Sequence, residues 1–303
     1  MVAMQGEPPA VARRRVRFAL RRFRGESGLN QTEVAKRLGW SLSKMQRIEL
    51  GEVGVSSTDL LALLQVYGVD DPGEIARLAE DARTSRRQRW WMSAEYREHL
   101  TPGLRQLVQF ESEATAIRVY QPFVVPGVVQ TRRLAEFILG SWGQGLTDEQ
   151  RRVRLEVRMA RKQQVIHRAG APRYLLVLDE SVLLRDIGGE EVMAEQFEDL
   201  AEVARLPNVH IRVVPLNRGT YAGNLGPFQI ISLGDDDDHE NAVMYEESYT
   251  RDFISHEASE IEIRRTVFEK LWEHSRSEDA TRLAIVAQAA SRRSRLQEWG
   301  DRQ

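Results

Sequence analysis

Residues 41–51, SLSKMQRIELG, combine helical spacing with an uncommon set of polar side chains. Met45 and Ile48 lie three residues apart, so they share one side of a helix and can pack against a core. The other side carries hydrogen-bonding side chains with scarcely any acid, namely Ser41, Ser43, Lys44, Gln46 and Arg47. Such side chains bind base edges and phosphates in a major groove ~12 Å wide. The pattern predicts a helix that reads DNA.

A second helix must precede this one and cross it closely. In the segment NQTEVAKRL, residues 30–38, Asn30 is followed three residues later by Glu33, as in a capping box. Gly39 can adopt a positive φ in the turn, and Ala35 is small where the two helices cross. The two helices and their tight turn form the arrangement that places a polar helix in a major groove.

The start of the earlier helix adds two candidate contacts. Gln31 and Thr32 lie where free N–H groups and the helix dipole favour a phosphate. The complete set of predicted DNA contacts is Gln31, Thr32, Ser41, Leu42, Ser43, Lys44, Gln46 and Arg47.

The stretch LNQTEVAKRLGWSLSKMQRIELGE resembles the Cro/C1-type (Xre) helix-turn-helix and follows its Q-x-x-[LV]-A-x-x-L-G…I-E-x-G pattern over ~24 residues. The resemblance implies that Leu42, Ser43 and Arg47 read bases. It also implies that Gln31 and Lys44 contact the DNA backbone.

The same resemblance assigns structural roles around the reading helix. It implies that Arg24 and Glu49 form a buried ion pair, which makes Glu49 part of the scaffold. Leu42 departs from the family pattern, in which this position is often polar. Two interpretations of Leu42 stay open: contact with a thymine methyl group, or an inward orientation.

Charge supports a nucleic-acid role for one end of the chain. The net charge of the 303 residues is −2, yet residues 1–69 hold eleven Lys and Arg against six acids, a net of +5 that leaves −7 for the rest. A basic end attracts phosphate while an acidic body limits non-specific coating. A purely solvated helical interaction domain is the alternative, but a solvated face does not require such a lack of acid. The arginines at 13–17 are open to two interpretations, phosphate contacts or a solvated basic face.

The pattern predicts two domains of mainly α and α+β class. Residues 1–10 are expected to form a disordered tail, residues 11–83 a five-helix DNA-binding domain and residues 84–92 a linker. Residues 93–303 are expected to form an effector, partner-binding and dimerisation domain with a small sheet flanked by helices. Helical periodicity continues from residue 90 to 120. Strand signals follow at 173–180, 209–216, 227–234 and 242–247, and helices at 128–140, 147–168, 189–205, 255–273 and 278–298.

The larger domain is also similar to a known group. Its segments FESEATAIRVYQPFVVPGVVQT, PRYLLVLDESVLLRDIGG and LPNVHIRVVPLNRGTYAGNLGPFQII resemble the C-terminal domain of WhiJ-like or antitoxin-like Xre regulators of actinobacteria. That domain has no established catalytic activity. The group implies a small BldB-like protein as partner, because their genes are often neighbours.

Catalytic and metal chemistry find little support in the sequence. The run Asp235–Asp238 with His239 favours a solvated turn over a cation site, and the six histidines lack paired spacing. Asp179 and Glu180 are adjacent on a predicted strand, so they are expected to point to opposite faces. We therefore expect no enzyme activity, no metal and no cofactor.

The predicted function is sequence-specific DNA-binding transcriptional regulation, as a repressor acting as a homodimer on double-stranded DNA. Two alternatives stay open, an antitoxin-like protein that sequesters a BldB-like partner and a small-molecule-sensing regulator.

Five aromatic residues are candidates for core or for an interface: Trp90, Trp91, Tyr96, Phe123 and Tyr221. The last helix, with RRSRLQEW at 292–299, is the candidate dimer interface. No cysteine and no apolar run of ~18 residues occur, so a cytoplasmic, nucleoid-associated location without membrane insertion is expected.

Overall fold

A computed structural model describes the chain as two compact units, residues 1–93 and 94–303. The residues described are 9–51, 53–86, 93–142, 145–218, 226–234, 241–247 and 252–300. The first unit is helical and the second contains a six-stranded mixed sheet with flanking helices, so the predicted fold class is confirmed.

Five helices form the first unit: α1 (Pro9–Glu26), α2 (Gln31–Leu38), α3 (Leu42–Glu49), α4 (Ser57–Tyr67) and α5 (Pro72–Ser85). Side-chain caps begin four of them, from Asn30, Ser41, Ser56 and Asp71. Each cap satisfies backbone N–H groups that the first turn leaves without a partner. Local sequence therefore determines where these helices begin.

Both ends of this unit differ from the predicted domain limits. Helix α1 begins at Pro9, inside the predicted 1–10 tail, because proline is tolerated in the first turn, where its missing N–H has no helical partner anyway. Helix α5 runs to Ser85, two residues into the predicted linker. Residues 87–92, with the rest of the linker and the aromatic pair at 90–91, lie outside the described residues.

One apolar core unites the five helices. It takes Leu20 from α1, Val34 from α2, Met45 from α3, Leu63 from α4 and Leu78 from α5, all fully buried. Met45 and Ile48 therefore hold α3 from below, which leaves its opposite side outward.

Arg13, Arg15 and Arg17 of α1 make contacts within the first unit, which neither interpretation of residues 13–17 included. Arg13 Nη2 donates to the Ser85 carbonyl at 2.8 Å, and Arg15 forms a two-point ion pair with Asp81 at 2.6 and 3.1 Å. Arg17 Nη1 donates to the Leu50 carbonyl just after α3, at 3.3 Å. Sequence reasoning missed these roles because the partners lie 33 to 72 residues away.

The second unit alternates helices with strands. Its helices are α6 (Ala94–Arg97), α7 (Pro102–Glu113), α8 (Arg132–Trp142), α9 (Asp148–Lys162), α10 (Glu180–Leu184), α11 (Glu190–Val203), α12 (Ala258–His274) and α13 (Glu278–Gly300). Its strands are β1 (Ala116–Gln121), β2 (Arg173–Asp179), β3 (Val209–Val214), β4 (Phe228–Ser232), β5 (Ala242–Glu246) and β6 (Phe253–Ser255).

The sheet has the order β3-β2-β1-β4-β5-β6. Strands β1, β2 and β3 are parallel, whereas β4, β5 and β6 continue the sheet in antiparallel fashion. Helix α12 covers one face, where it packs against Tyr120, Phe228 and Met244. The carboxyl ends of the three parallel strands meet at one edge, where loops carry polar and apolar side chains.

Three elements of this unit were not predicted. Strand β1 lies within the 90–120 stretch that was assigned helical periodicity. All six of its residues are buried, because it is a central strand between β2 and β4, so it lacks the alternation that marks a half-exposed strand. Helix α10 and strand β6 are only five and three residues long. Glu180 belongs to α10 rather than to a strand, and Asp179 caps that helix by accepting a hydrogen bond from the Ser181 N–H.

Helix α13 is held by its own domain through arginines of the segment 292–299, and the dimer interface predicted there stays a prediction. Arg292 is buried and donates to the carbonyls of Leu183 and Arg185 at 3.1 Å. Arg293 pairs with Glu198, and Arg295 pairs with Glu190, both at 2.7 Å. The arginines of this segment thus stabilise the domain from within, a role that only the folded chain reveals.

Some predictions fall outside the described residues: the acidic run with His239 and the aromatic residue Tyr221. In the described part of the chain no group of three or more His, Cys, Asp or Glu side chains is placed to hold a metal ion. No described helix is long and apolar enough to cross a membrane.

Candidate nucleic-acid interface

The turn between α2 and α3 sets the angle of the outward helix. Gly39 has φ 65° and ψ 28°, a left-handed conformation that glycine adopts without strain, and its N–H donates to the carbonyls of Ala35 and Lys36. Ser41 then caps α3 by accepting a hydrogen bond from the Lys44 N–H at 3.1 Å. Ala35 is buried at the crossing and leaves room for α3.

An ion pair beneath α3 fixes its last turn. Glu49 is 1% exposed, and its carboxylate accepts hydrogen bonds from Arg24 Nε at 2.6 Å and Arg24 Nη2 at 3.1 Å. Arg24 also donates to the Leu29 carbonyl at 3.1 Å, which connects the pair to the segment before α2. A buried two-point pair of this kind is strongly directional, so it restrains the position of α3 relative to α1.

Gln31 joins this pair rather than pointing freely outward. Its Nε2 donates to the second carboxylate oxygen of Glu49 at 2.7 Å, and the residue is half-buried. Its side-chain amide therefore belongs to the scaffold beneath α3 in this structure, although its backbone still lies in the first turn of α2. Thr32, one residue on, is exposed at the same helix end.

Tyr67 lies close to the same carboxylate. Burial raises the pKa of the Tyr67 hydroxyl above its ordinary value, and the charge of Glu49 raises it further. The Tyr67 hydroxyl is therefore neutral at neutral pH. At the end of α3, the Glu49 carboxylate is thus surrounded by the Arg24 guanidinium, the Gln31 amide and the Tyr67 phenol.

Lys44 is directed along the surface by two neighbours that sequence reasoning did not name. Its Nζ lies 3.0 Å from Asp59 Oδ1 and 3.6 Å from the centre of the Trp40 ring. Trp40 lies four residues before Lys44, a spacing that helical periodicity could have indicated. Asp59 is in the first turn of α4 and gives no such local signal.

The remaining predicted contacts form one outward face. Five side chains on or just before α3 are exposed: Ser41, Leu42, Ser43, Gln46 and Arg47. Leu42 is 40% exposed, so its side chain does not face inward. We call these five residues with Lys44 the α3 face. Two acidic residues lie near the α3 face: Glu49 is buried beneath it, and Asp59 is paired with Lys44.

Chemically, the α3 face offers hydroxyl, amide, ammonium and guanidinium donors together with one aliphatic side chain. Such groups match the donor and acceptor pattern of base pairs in the major groove, and the aliphatic group matches a thymine methyl. A rigid base for this face comes from the core residues and the Arg24–Glu49 pair.

Comparison with known proteins adds two matches. A family described as "Helix-turn-helix domain" matches residues 16–78, which include α2, α3 and α4 completely, and this match indicates DNA binding and transcriptional regulation for the first unit. No curated protein and no solved structure matches the chain. The family described as "Domain of unknown function (DUF5753)" matches residues 104–286, more than half of the chain. The chain therefore belongs to the DUF5753 family, with a helix-turn-helix domain at its N-terminal end.

Proposed function

We propose that the protein is a sequence-specific DNA-binding repressor of the Cro/C1 (Xre) type. The observation that carries this proposal is the α3 face, whose polar side chains are exposed on a helix fixed by a buried ion pair. The excess of basic residues in the N-terminal part supports the proposal, because phosphate contacts supply most of the affinity for DNA.

Within this proposal the residues divide by role. Ser43, Gln46 and Arg47 read base edges, and Leu42 contacts a thymine methyl group. Lys44 and Thr32 contact phosphates, which position the helix without reading sequence. The protein acts as a homodimer, so that two α3 helices lie ~34 Å apart and read half-sites one helical turn apart. The larger domain supplies dimerisation and receives a signal or a partner.

A gel-shift experiment on the region upstream of the protein's own gene tests the DNA-binding role. We expect specific binding by the full chain and a marked loss in the double variant Ser43→Ala/Arg47→Ala, because each lost base contact costs ~1–3 kcal/mol. The matched control is Arg77→Ala, which removes an exposed arginine from α5 of the same domain. All affinities are compared at one salt concentration.

Two outcomes would contradict the proposal. Sequence preference that survives in the Ser43→Ala/Arg47→Ala variant would exclude the α3 face as the reading surface. Equal loss in the Arg77→Ala control would mean that only total charge matters. Footprinting of the bound fragment then tests the dimer, with two protected half-sites centred ~10 base pairs apart as the expected result.

A second candidate function, partner binding of the antitoxin-like kind, is supported by an apolar edge in the larger domain. Phe123, Leu184 and Leu216 follow β1, β2 and β3 and are 51%, 56% and 56% exposed. Ser181 Oγ donates to the Pro122 carbonyl, which ties two of these loops together. Exposed apolar side chains grouped at one edge are typical of protein interfaces.

Copurification with a small BldB-like protein tests this second function. We expect the wild-type chain to retain the partner and the double variant Leu184→Asp/Leu216→Asp to lose it. Ile263→Asp is the control, because Ile263 is 63% exposed on α12, which covers one face of the sheet rather than its edge. Retention by the double variant, or equal loss in the control, would rule out this edge as the interface.

A further inference from the structure

Helix α9 carries six basic residues, and they fall into two groups. Four have a carboxylate partner: Arg151 with Asp148, Arg152 with Glu149 and Glu156, Arg161 with Glu111, and Lys162 with Asp199. Arg154 and Arg158 differ. Among the described residues, neither has a carboxylate oxygen within 4.0 Å of its guanidinium group.

These two arginines are held by neutral acceptors instead. Arg154 Nε donates to the His99 carbonyl at 3.3 Å, and Arg158 Nη1 donates to Gln130 Oε1 at 2.7 Å. They are four residues apart, so their side chains lie one turn apart on the same side of α9. The hydrogen bonds orient both guanidinium groups without neutralising either.

Both guanidinium groups are partly enclosed. Burial lowers the pKa of Arg158 to about 10, with the charge of Arg161 as a further cause, and burial also lowers the pKa of Arg154. Both side chains nevertheless keep part of their surface exposed. Neither contributes a nitrogen to the buried, unbonded atoms found in the described chain, so the other two nitrogens of each keep some accessible surface.

The backbone at Gly127 lies close to the Arg158 side chain. A Cβ atom on Gly127 would lie 3.4 Å from Arg158 Nε, so a branched side chain at this position would crowd that donor. Glu247 and Asp252 act on the two arginines only at longer range. Burial raises the pKa of Asp252, which also receives a hydrogen bond from Tyr245. Since these two acids partly offset the charge of the two arginines, an anion bound here needs direct hydrogen bonds from the guanidinium groups.

We propose that Arg154 and Arg158 form a binding site for the anionic group, carboxylate or phosphate, of a small molecule. A guanidinium group that is enclosed without a carboxylate partner loses solvation free energy in the folded state. An anion that accepts two hydrogen bonds from the forked N–H groups in the guanidinium plane offsets that loss. As the signal input of a DNA-binding regulator, the site rests on the proposed function. As a binding site, it can be measured without DNA.

Thermal unfolding of the full chain tests the site with defined probes: inorganic phosphate, acetate, succinate and citrate, at constant ionic strength adjusted with chloride. We expect at least one probe to raise the unfolding temperature of the larger domain by several degrees at saturation, because binding to the folded state alone stabilises it. Phosphate and the multivalent carboxylates, which can engage both arginines, should act more strongly than acetate. A response to phosphate alone indicates a phosphorylated ligand, and a response to the carboxylates alone indicates an organic acid.

The matched variants are Arg158→Met and Arg151→Met on the same helix. We expect the first to abolish the shift and the second to retain it, which separates binding from the general stabilisation by excluded salts. Arg158→Lys keeps the charge but loses the fork, so its apparent affinity should fall about tenfold or more. If Arg158→Met does not fold, Arg154→Met and Gly127→Val test the same site.

The proposal is overturned if no probe shifts the transition, or if wild type and the Arg158→Met variant respond equally. Failure of the gel shift with probe binding intact would remove the regulatory role and leave the site. Failure of probe binding with specific DNA binding intact would remove the site and leave the regulator.

Discussion

Helices α3 and α9 differ in where their cationic groups lie. Helix α3 directs its cationic side chains outward and has a neutralised ion pair beneath it, between Arg24 and Glu49. Helix α9 has the neutralised pairs of Arg151 and Arg152 at the surface and a buried pair between Arg161 and Glu111. It also encloses two arginines without carboxylate partners among the described residues.

The difference indicates which residues of each helix can be replaced without loss of stability. The cationic side chains of α3 point outward, so under the proposed function we expect their replacement to alter recognition with little effect on folding. Enclosed cations on α9 cost desolvation energy in the folded state, which an anionic ligand can offset. Under the two proposals, function and stability are carried by different residues on α3, whereas on α9 they are coupled.

The largest expected effect concerns the pair beneath α3. Arg24→Met leaves Glu49 buried without its main partner, so we expect the N-terminal domain to lose ~3–5 kcal/mol of unfolding free energy. Denaturant unfolding with separate probes for each domain measures it. Arg22→Met is the control, because Arg22 is exposed and its pairs are worth at most about 1 kcal/mol. Equal losses in the two variants would show that the pair does not anchor α3.

On α9 we expect a smaller change in stability from the loss of an arginine that has no carboxylate partner among the described residues. Arg158→Met removes an enclosed charge but leaves Gln130 Oε1 without its donor, so the unfolding free energy of the ligand-free larger domain should change by no more than ~1 kcal/mol. Arg161→Met on the same helix leaves Glu111 buried and should cost ~3–5 kcal/mol. If both variants lose the same amount, Arg158 is a structural residue and the contrast between α3 and α9 disappears.

The smallest effect is expected at Lys44. Lys44→Ala removes one exposed ion pair with Asp59 and the contact with Trp40, so stability should fall by at most about 1 kcal/mol. If Lys44 contacts one phosphate, the slope of log affinity against log salt should become shallower by ~0.9. Titrations at four salt concentrations measure this slope. An unchanged slope would mean that Asp59 keeps Lys44 away from the DNA backbone.

The sequence alone determined the helices and the turn that form the reading motif of the N-terminal domain, for a local reason. Caps such as Asn30 and Ser41 and the left-handed turn at Gly39 act within a few residues, so their signals lie side by side in the chain. The outward direction of Ser43, Gln46 and Arg47 follows from the periodicity that buries Met45 and Ile48.

Only the tertiary structure decided the remaining features, because their partners are distant in sequence. Strand β1 was missed because both of its faces are covered, which erases the alternation. The structural use of Arg13, Arg17 and Arg292 depends on carbonyls that are 33 to 109 residues away. For Arg158 the decisive fact is the lack of a carboxylate partner among the described residues, and no pattern of adjacent residues encodes that, because it depends on which distant segments the fold brings together.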